Sequence, residues 1–172
     1  TGGSYCSGGT GASINVAGSD LGVNYQLYYG TTAVGSPMAG TGGAISFTSL
    51  TTGGTYTVKA TNATTGCVNT MGSAIIVVNS LPYAFTVTGG GSYCPGGTGV
   101  LVGLSGTTST TTYQLYLGGS PVGSPITGIG AAISFGLQTG VGTYTVVGTS
   151  TLTGCTNTMT GSVTVSIAAL PT

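Results

Sequence analysis

Four cysteines, ten tyrosines, one base (Lys59) and one acid (Asp20) are the side chains of this 172-residue sequence with a capacity for chemistry, beyond Ser and Thr hydroxyls that no neighbour can activate. There is no histidine and no tryptophan. General acid–base catalysis needs a group titrating near neutral pH, and a nucleophilic triad needs its His. A glycosidase pair needs two carboxylates, and only one is present. Calcium and zinc cages lack ligands. One Lys is no footprint for nucleic acid. The sequence therefore predicts a protein that is not an enzyme, takes no cofactor or metal, and binds no nucleic acid. What remains is cysteine pairing and aromatic contact, and both depend on the elements that place them.

Charged residues make up 1% of the chain and apolar ones 40%, a balance that raises two other classes. A membrane-spanning helix needs about 18–20 consecutive apolar residues. The best run, Ala74-Ile75-Ile76-Val77-Val78, falls far short, so no membrane insertion is expected. No signal peptide is visible and residue 1 is Thr, which reads as a mature or excised segment. Disorder is suggested by 35 Gly and 6 Pro, close to low-complexity levels. The tyrosines, the β-branched residues and the regular alternation argue against it. Gly, Thr, Ser, Val and Tyr together point to sheet with tight turns.

The organisation emerges on comparing the sequence with itself. At a shift of 88, residues Tyr5 to Met71 match Tyr93 to Met159 at 35 of 67 positions without a gap. Tyr25-Gln26-Leu27-Tyr28 meets Tyr113-Gln114-Leu115-Tyr116. Ala44-Ile45-Ser46-Phe47 meets Ala132-Ile133-Ser134-Phe135. Gly54-Thr55-Tyr56-Thr57-Val58 meets Gly142-Thr143-Tyr144-Thr145-Val146. One residue is then inserted, so that Leu81-Pro82 matches Leu170-Pro171. The chain is two copies of one sequence module, with the boundary expected near Leu81-Pro82: residues 1–82 and 83–172.

Within each copy, apolar residues alternate with polar ones between turn signals. Ile14 and Val16, Tyr25 and Leu27, Ile45 and Phe47, and Tyr56 and Val58 form such pairs; Ile133, Phe135, Tyr144 and Val146 repeat the last two, and all eight of these are expected to be buried. This predicts an all-β chain of two tandem immunoglobulin-like antiparallel β-sandwich modules. Tyr56 and Tyr144 are expected to form tyrosine corners, the hydroxyl bonding back to the preceding turn; the plainer reading is a core aromatic. The usual inter-sheet Cys two residues on is replaced by Val58 and Val146. Ala84-Phe85-Thr86-Val87-Thr88 reads as the first strand of the second module and has no counterpart in the first. The first module is thus expected to have an open sheet edge or a borrowed strand, whether the chain is part of a longer array or a complete subunit.

Four cysteines allow three pairings. Cys6 and Cys67 are 61 positions apart, as are Cys94 and Cys155. Repeat symmetry selects Cys6–Cys67 and Cys94–Cys155, each bridge tying a module's start to the loop before its last strand. The alternatives are reduced, buried thiols and a zinc site, the latter disfavoured because no CxxC pair exists. Disulfides imply an oxidising, extracellular compartment.

Weaker signals have plain readings. Asn62-Ala63-Thr64 fits a glycosylation acceptor that the second copy lacks. Tyr25, Tyr28 and Tyr29 would suit a sugar-stacking platform, but alternating tyrosines more often divide between core and surface. Ser7-Gly8-Gly9-Thr10-Gly11 lacks the Lys of a phosphate loop and reads as a turn.

The recurring Tyr-Cys-x-Gly-Gly-Thr-Gly, Tyr-Gln-Leu-Tyr, Gly-Thr-Tyr-Thr-Val and Thr-Gly-Cys motifs resemble immunoglobulin-like repeats of giant secreted surface proteins of Bacteroidetes. The resemblance implies tandem arrays, secreted or on the cell surface, associated with adhesion, gliding or surface structure, and no catalytic residues. The expectation is a disulfide-stapled structural segment of an extracellular array or filament, whose partners are neighbouring repeats of its own kind, head to tail. The alternative is an adhesin-type binding module recognising a surface glycan.

Overall fold

Alternation with a period of two, broken by glycine every eight to twelve residues, leaves the backbone no option but short strands. In the computed structural model, which describes residues 2–170, every regular element is a strand. The contacts divide the chain into two units, one ending at Ser80 and the other beginning at Leu81.

The first unit contains β1 (Gly3–Cys6), β2 (Ala12–Val16), β3 (Val23–Tyr29), β4 (Thr32–Ala39), β5 (Ile45–Leu50), β6 (Gly54–Asn62) and β7 (Val68–Asn79). One sheet has the order β1-β7-β6-β3-β4, and β2 pairs with β5 in a second. The second unit contains β8 (Val87–Gly89), β9 (Gly91–Tyr93), β10 (Val100–Leu104), β11 (Thr111–Leu117), β12 (Ser120–Thr127), β13 (Ile133–Gln138), β14 (Gly142–Ser150), β15 (Thr156–Thr158) and β16 (Val163–Ile167). Its sheets have the orders β12-β11-β14-β16-β9, with β15 also on β14, and β13-β10-β8. This division of strands between two sheets is the immunoglobulin-like arrangement.

Among the described residues the pairing between named strands is antiparallel with one exception in each unit, and in the second unit Thr86 and Thr160 add a single parallel bridge. β1 runs parallel to β7, and β9 runs parallel to β16. A fully antiparallel sandwich was the expectation. In the second unit the difference arises because the opening segment serves both sheets. β8 lies antiparallel to β10 in one sheet, and β9 then follows the last strand of the other. Gly89 makes the crossing: its φ is +92°, and a Cβ there would lie 2.0 Å from the Leu101 carbonyl oxygen. Only glycine fits.

Each core lies between its two sheets. Tyr25, Leu27, Tyr56 and Ile76 centre the first, and Tyr113, Leu115, Tyr144 and Val165 the second. Ile45, Phe47 and Val58 are buried as expected, as is Val146, but Ile133 and Phe135 are only half-buried. Leu50 belongs to the first core, whereas Gln138 holds the matching position in the second. Gln138 turns its amide to the Phe135 carbonyl at 2.8 Å, so that end of β13 lacks an apolar cover.

The Tyr-Gln-Leu-Tyr motif also has a structural purpose. The β3–β4 and β11–β12 ladders both slip register around this glutamine. The Gln26 side-chain nitrogen donates to the Val34 carbonyl at 3.0 Å, and Gln114 does the same to Val122 at 3.0 Å. The side chain thus replaces ladder bonds that the irregularity interrupts.

Candidate functional site

The cysteines are placed first by their strands. β1 pairs with the far end of β7, with Cys6 opposite Asn79. Cys67 immediately precedes β7, and its carbonyl accepts from the Asn62 amide at 2.9 Å. A strand rises about 3.3 Å per residue, so the 12 residues from Cys67 to Asn79 put the two cysteines about 40 Å apart along β7. A disulfide needs Cα atoms within about 7 Å. The second unit repeats the geometry: Tyr93 pairs with Ile167 at the end of β16, while the Cys155 carbonyl accepts from Ser150 at 2.8 Å before β15. The expected bridges Cys6–Cys67 and Cys94–Cys155 are therefore corrected. Cys67 and Cys94 carry free, exposed thiols, and Cys6 and Cys155 are disulfide-bonded. Symmetry misled because it fixes which cysteines are equivalent, not which ends of a strand they occupy.

It follows that a thiol reagent added to the native, non-reduced chain should label two cysteines, Cys67 and Cys94. Peptide mapping checks this, and recovery of a Cys6–Cys67 link would contradict the β1–β7 register.

The tyrosines tie turns to cores. The Tyr56 hydroxyl donates to the Thr52 carbonyl at 2.8 Å, and Tyr144 donates to Gly140 at 2.9 Å. These are the expected corners. Burial pushes the phenol pKa of both above its usual value. Tyr5 and Tyr93 secure the same turns through the Thr51 and Thr139 carbonyls. Tyr25 is buried, and its hydroxyl accepts from the Asp20 amide at 2.9 Å. Tyr28 holds Lys59 Nζ 4.6 Å from its ring centroid, while Tyr29 packs against Tyr56 at 5.2 Å. The three tyrosines of the suggested stacking platform are thus separated by function. Asn62 uses its side-chain oxygen to accept from the Thr64 and Thr65 amides, each at 2.9 Å, which closes the β6–β7 turn.

One pair of positions carried no sequence signal. Ser19 and Thr107 are buried hydroxyls at matching places in the repeat. Thr107 Oγ1 donates to the Ala131 carbonyl at 2.7 Å and accepts from the Ile129 amide at 3.0 Å. Ser19 Oγ does likewise with Gly43 at 2.6 Å and Thr41 at 3.0 Å. Ser against Thr in a Gly-rich stretch looks like loop composition; only the fold reveals a clamp. Thr107→Val keeps the shape and strands both partners, so it should cost about 1–3 kcal/mol. Denaturant titration of the variant reads this directly.

Among the described residues, no group of three His, Cys, Asp or Glu side chains gathers where it could hold a metal. No helix there is long and apolar enough to cross a membrane. Asp20 and Cys67 border one cleft, with Tyr25 and Asn62 beside them. A second groove, of about 230 Å³, runs along β2 and β7 in the first unit.

No protein-family model and no curated protein matches the chain. Among solved structures it is similar to Sidekick-1 immunoglobulin domains 1-5, at 9% identity and a TM-score of 0.34. The match covers 96% of this chain and 35% of that one, so the chain spans about a third of the length of the structure it matches. A likeness of that strength carries no argument about activity or partners, and the immunoglobulin-like reading rests on the strand order.

Proposed function

We propose that this chain is a non-catalytic structural segment of an extracellular array or filament, built from two tandem immunoglobulin-like modules of the kind found in giant secreted surface proteins of Bacteroidetes. The observation that carries the reading is the repeat: 35 of 67 positions recur, the two corner tyrosines Tyr56 and Tyr144 among them. Evolution by duplication of an entire module suits a protein whose task is to extend. The near absence of charge fits the same role. With one Lys and one Asp, neighbouring units feel little electrostatic repulsion. A free monomer with such a surface is a solubility hazard, whereas a packed assembly is not.

The partners in this reading are further copies of the repeat, head to tail. Electron microscopy of native material tests it. Regular filaments or long beaded chains are the expected result; dispersed monomers that bind a glycan would overturn it in favour of an adhesin-type module.

A further inference from the structure

Among the described residues, two tyrosines meet ring to ring at one place. Tyr29 and Tyr56 stand directly opposite each other on the antiparallel pair β3 and β6. Their ring centroids lie 5.2 Å apart at an interplanar angle of 55°, the spacing of aromatic rings in direct contact. The two phenols differ in access to solvent. Tyr56 is 2% exposed, whereas Tyr29, at the end of its strand, is 41% exposed.

One turn anchors both rings. The Tyr56 hydroxyl donates to the Thr52 carbonyl at 2.8 Å, and the Tyr29 hydroxyl donates to the next carbonyl, that of Gly53, at 3.3 Å. Gly54 leaves room for this. Its φ is +135°, and a Cβ there would lie 2.7 Å from Tyr29 Cε2 and 2.9 Å from the hydroxyl oxygen. A side chain at position 54 would push the Tyr29 ring off the turn.

The second unit shows that the corner does not need this second tyrosine. Gly142 matches Gly54, with φ of +141°. Tyr144 makes its corner bond to Gly140 with Leu117 opposite it, where Tyr56 has Tyr29. A leucine meets the packing requirement of that position, so the Tyr29 phenol is chemistry beyond what the fold demands.

We propose that Tyr29 and Tyr56 are an oxidative cross-linking site, joined ortho carbon to ortho carbon as dityrosine, with a peroxide as oxidant acting through a one-electron catalyst of the peroxidase class. Exposed Tyr29 first loses an electron and its hydroxyl proton. Tyr56 gives up its hydroxyl hydrogen to the Tyr29 radical as an electron and a proton, and Tyr29 is then oxidised again. The two radicals couple through one new C–C bond. The hydrogen on each joined carbon leaves as a proton, and each phenol oxygen regains one, which restores both rings. In sum two C–H bonds break and one C–C bond forms, and two electrons and two protons reduce one hydrogen peroxide to two waters. The product is a covalent staple between β3 and β6, neighbours in the five-stranded sheet. It goes beyond the array reading and does not depend on it, because both partners lie in one unit.

The test treats the whole chain in dilute solution with hydrogen peroxide and a peroxidase, after alkylation of Cys67 and Cys94 to keep their thiols out of the reaction. The monomer is then isolated. It should show dityrosine fluorescence and, in its peptide map, a Tyr29–Tyr56 link lighter by two hydrogens than the separate peptides. Tyr29→Phe and Tyr56→Phe should each abolish the monomer signal. Tyr29 is the exposed member and Phe retains its ring, so the first variant keeps the test decisive should the second fold poorly. Tyr83→Phe removes a 69%-exposed tyrosine whose ring neighbour is Phe85, and should leave the signal intact. Dityrosine confined to joined chains, or none at all, overturns the proposal. So does a monomer signal that survives Tyr29→Phe, or a map that links Tyr56 to Tyr5, the other tyrosine bonded to this turn.

Discussion

Tyr144→Ala should destabilise the second unit by about 3–5 kcal/mol, the range for deleting a large core aromatic. Tyr144 is 1% exposed at the centre of its core, and its hydroxyl also holds the Gly140 turn. Domain stabilities run to about 5–15 kcal/mol, so the variant should sit at or near unfolding. Tyr144→Phe separates the two contributions. It keeps the ring and removes the hydrogen bond, for an expected loss of about 1 kcal/mol. The pair also has a pH signature. Burial raises the folded-state pKa of Tyr144 above its unfolded value near 10. The folded chain thus holds this proton more tightly than the unfolded one. The associated stability is complete below about pH 10 and is lost as pH rises through the folded value. Alkaline denaturation should therefore be shallower in Tyr144→Phe than in the parent. Urea titrations from pH 8 to pH 11 measure all three chains; equal pH slopes for parent and Phe variant would contradict the assignment.

Val87→Asp should produce a loss of similar size by a different route. Val87 is 5% exposed, opposite Leu104 and between two sheets. A carboxylate there has no cation within the core to meet it, since Lys59 is the one base of the sequence. An uncompensated buried charge costs about 3–5 kcal/mol. The chain can relieve this by releasing residues 84–89 from β10. Hydrogen exchange should then accelerate at residues 102–105 while residues 25–28 keep their protection. Lowering the pH protonates the Asp and should restore part of the stability. An unchanged exchange rate at residues 102–105 would show that the strand contributes little to closure.

These expectations draw unequally on sequence and on structure. The repeat, the all-β class and the tyrosine corners are legible from the residues, because alternation and spacing are local properties that a two-residue period imposes on any sheet; the strand expected over residues 84–88 forms later, at Val87–Gly89. Composition likewise limits the chemistry, since a chain without histidine and with one carboxylate has few reactions open to it. Three things were decided by the tertiary structure. The parallel course of β1 on β7 separates Cys6 from Cys67 by the length of a strand, and strand direction is a long-range choice that cysteine spacing cannot encode. Ile133 and Phe135 are half-buried although their identical counterparts Ile45 and Phe47 are buried, a difference of packing that identical residues at matching positions cannot encode. The Ser19 and Thr107 clamps form only once Gly43 and Ala131 come within reach, and what packs beside a residue is something no pattern along the chain records.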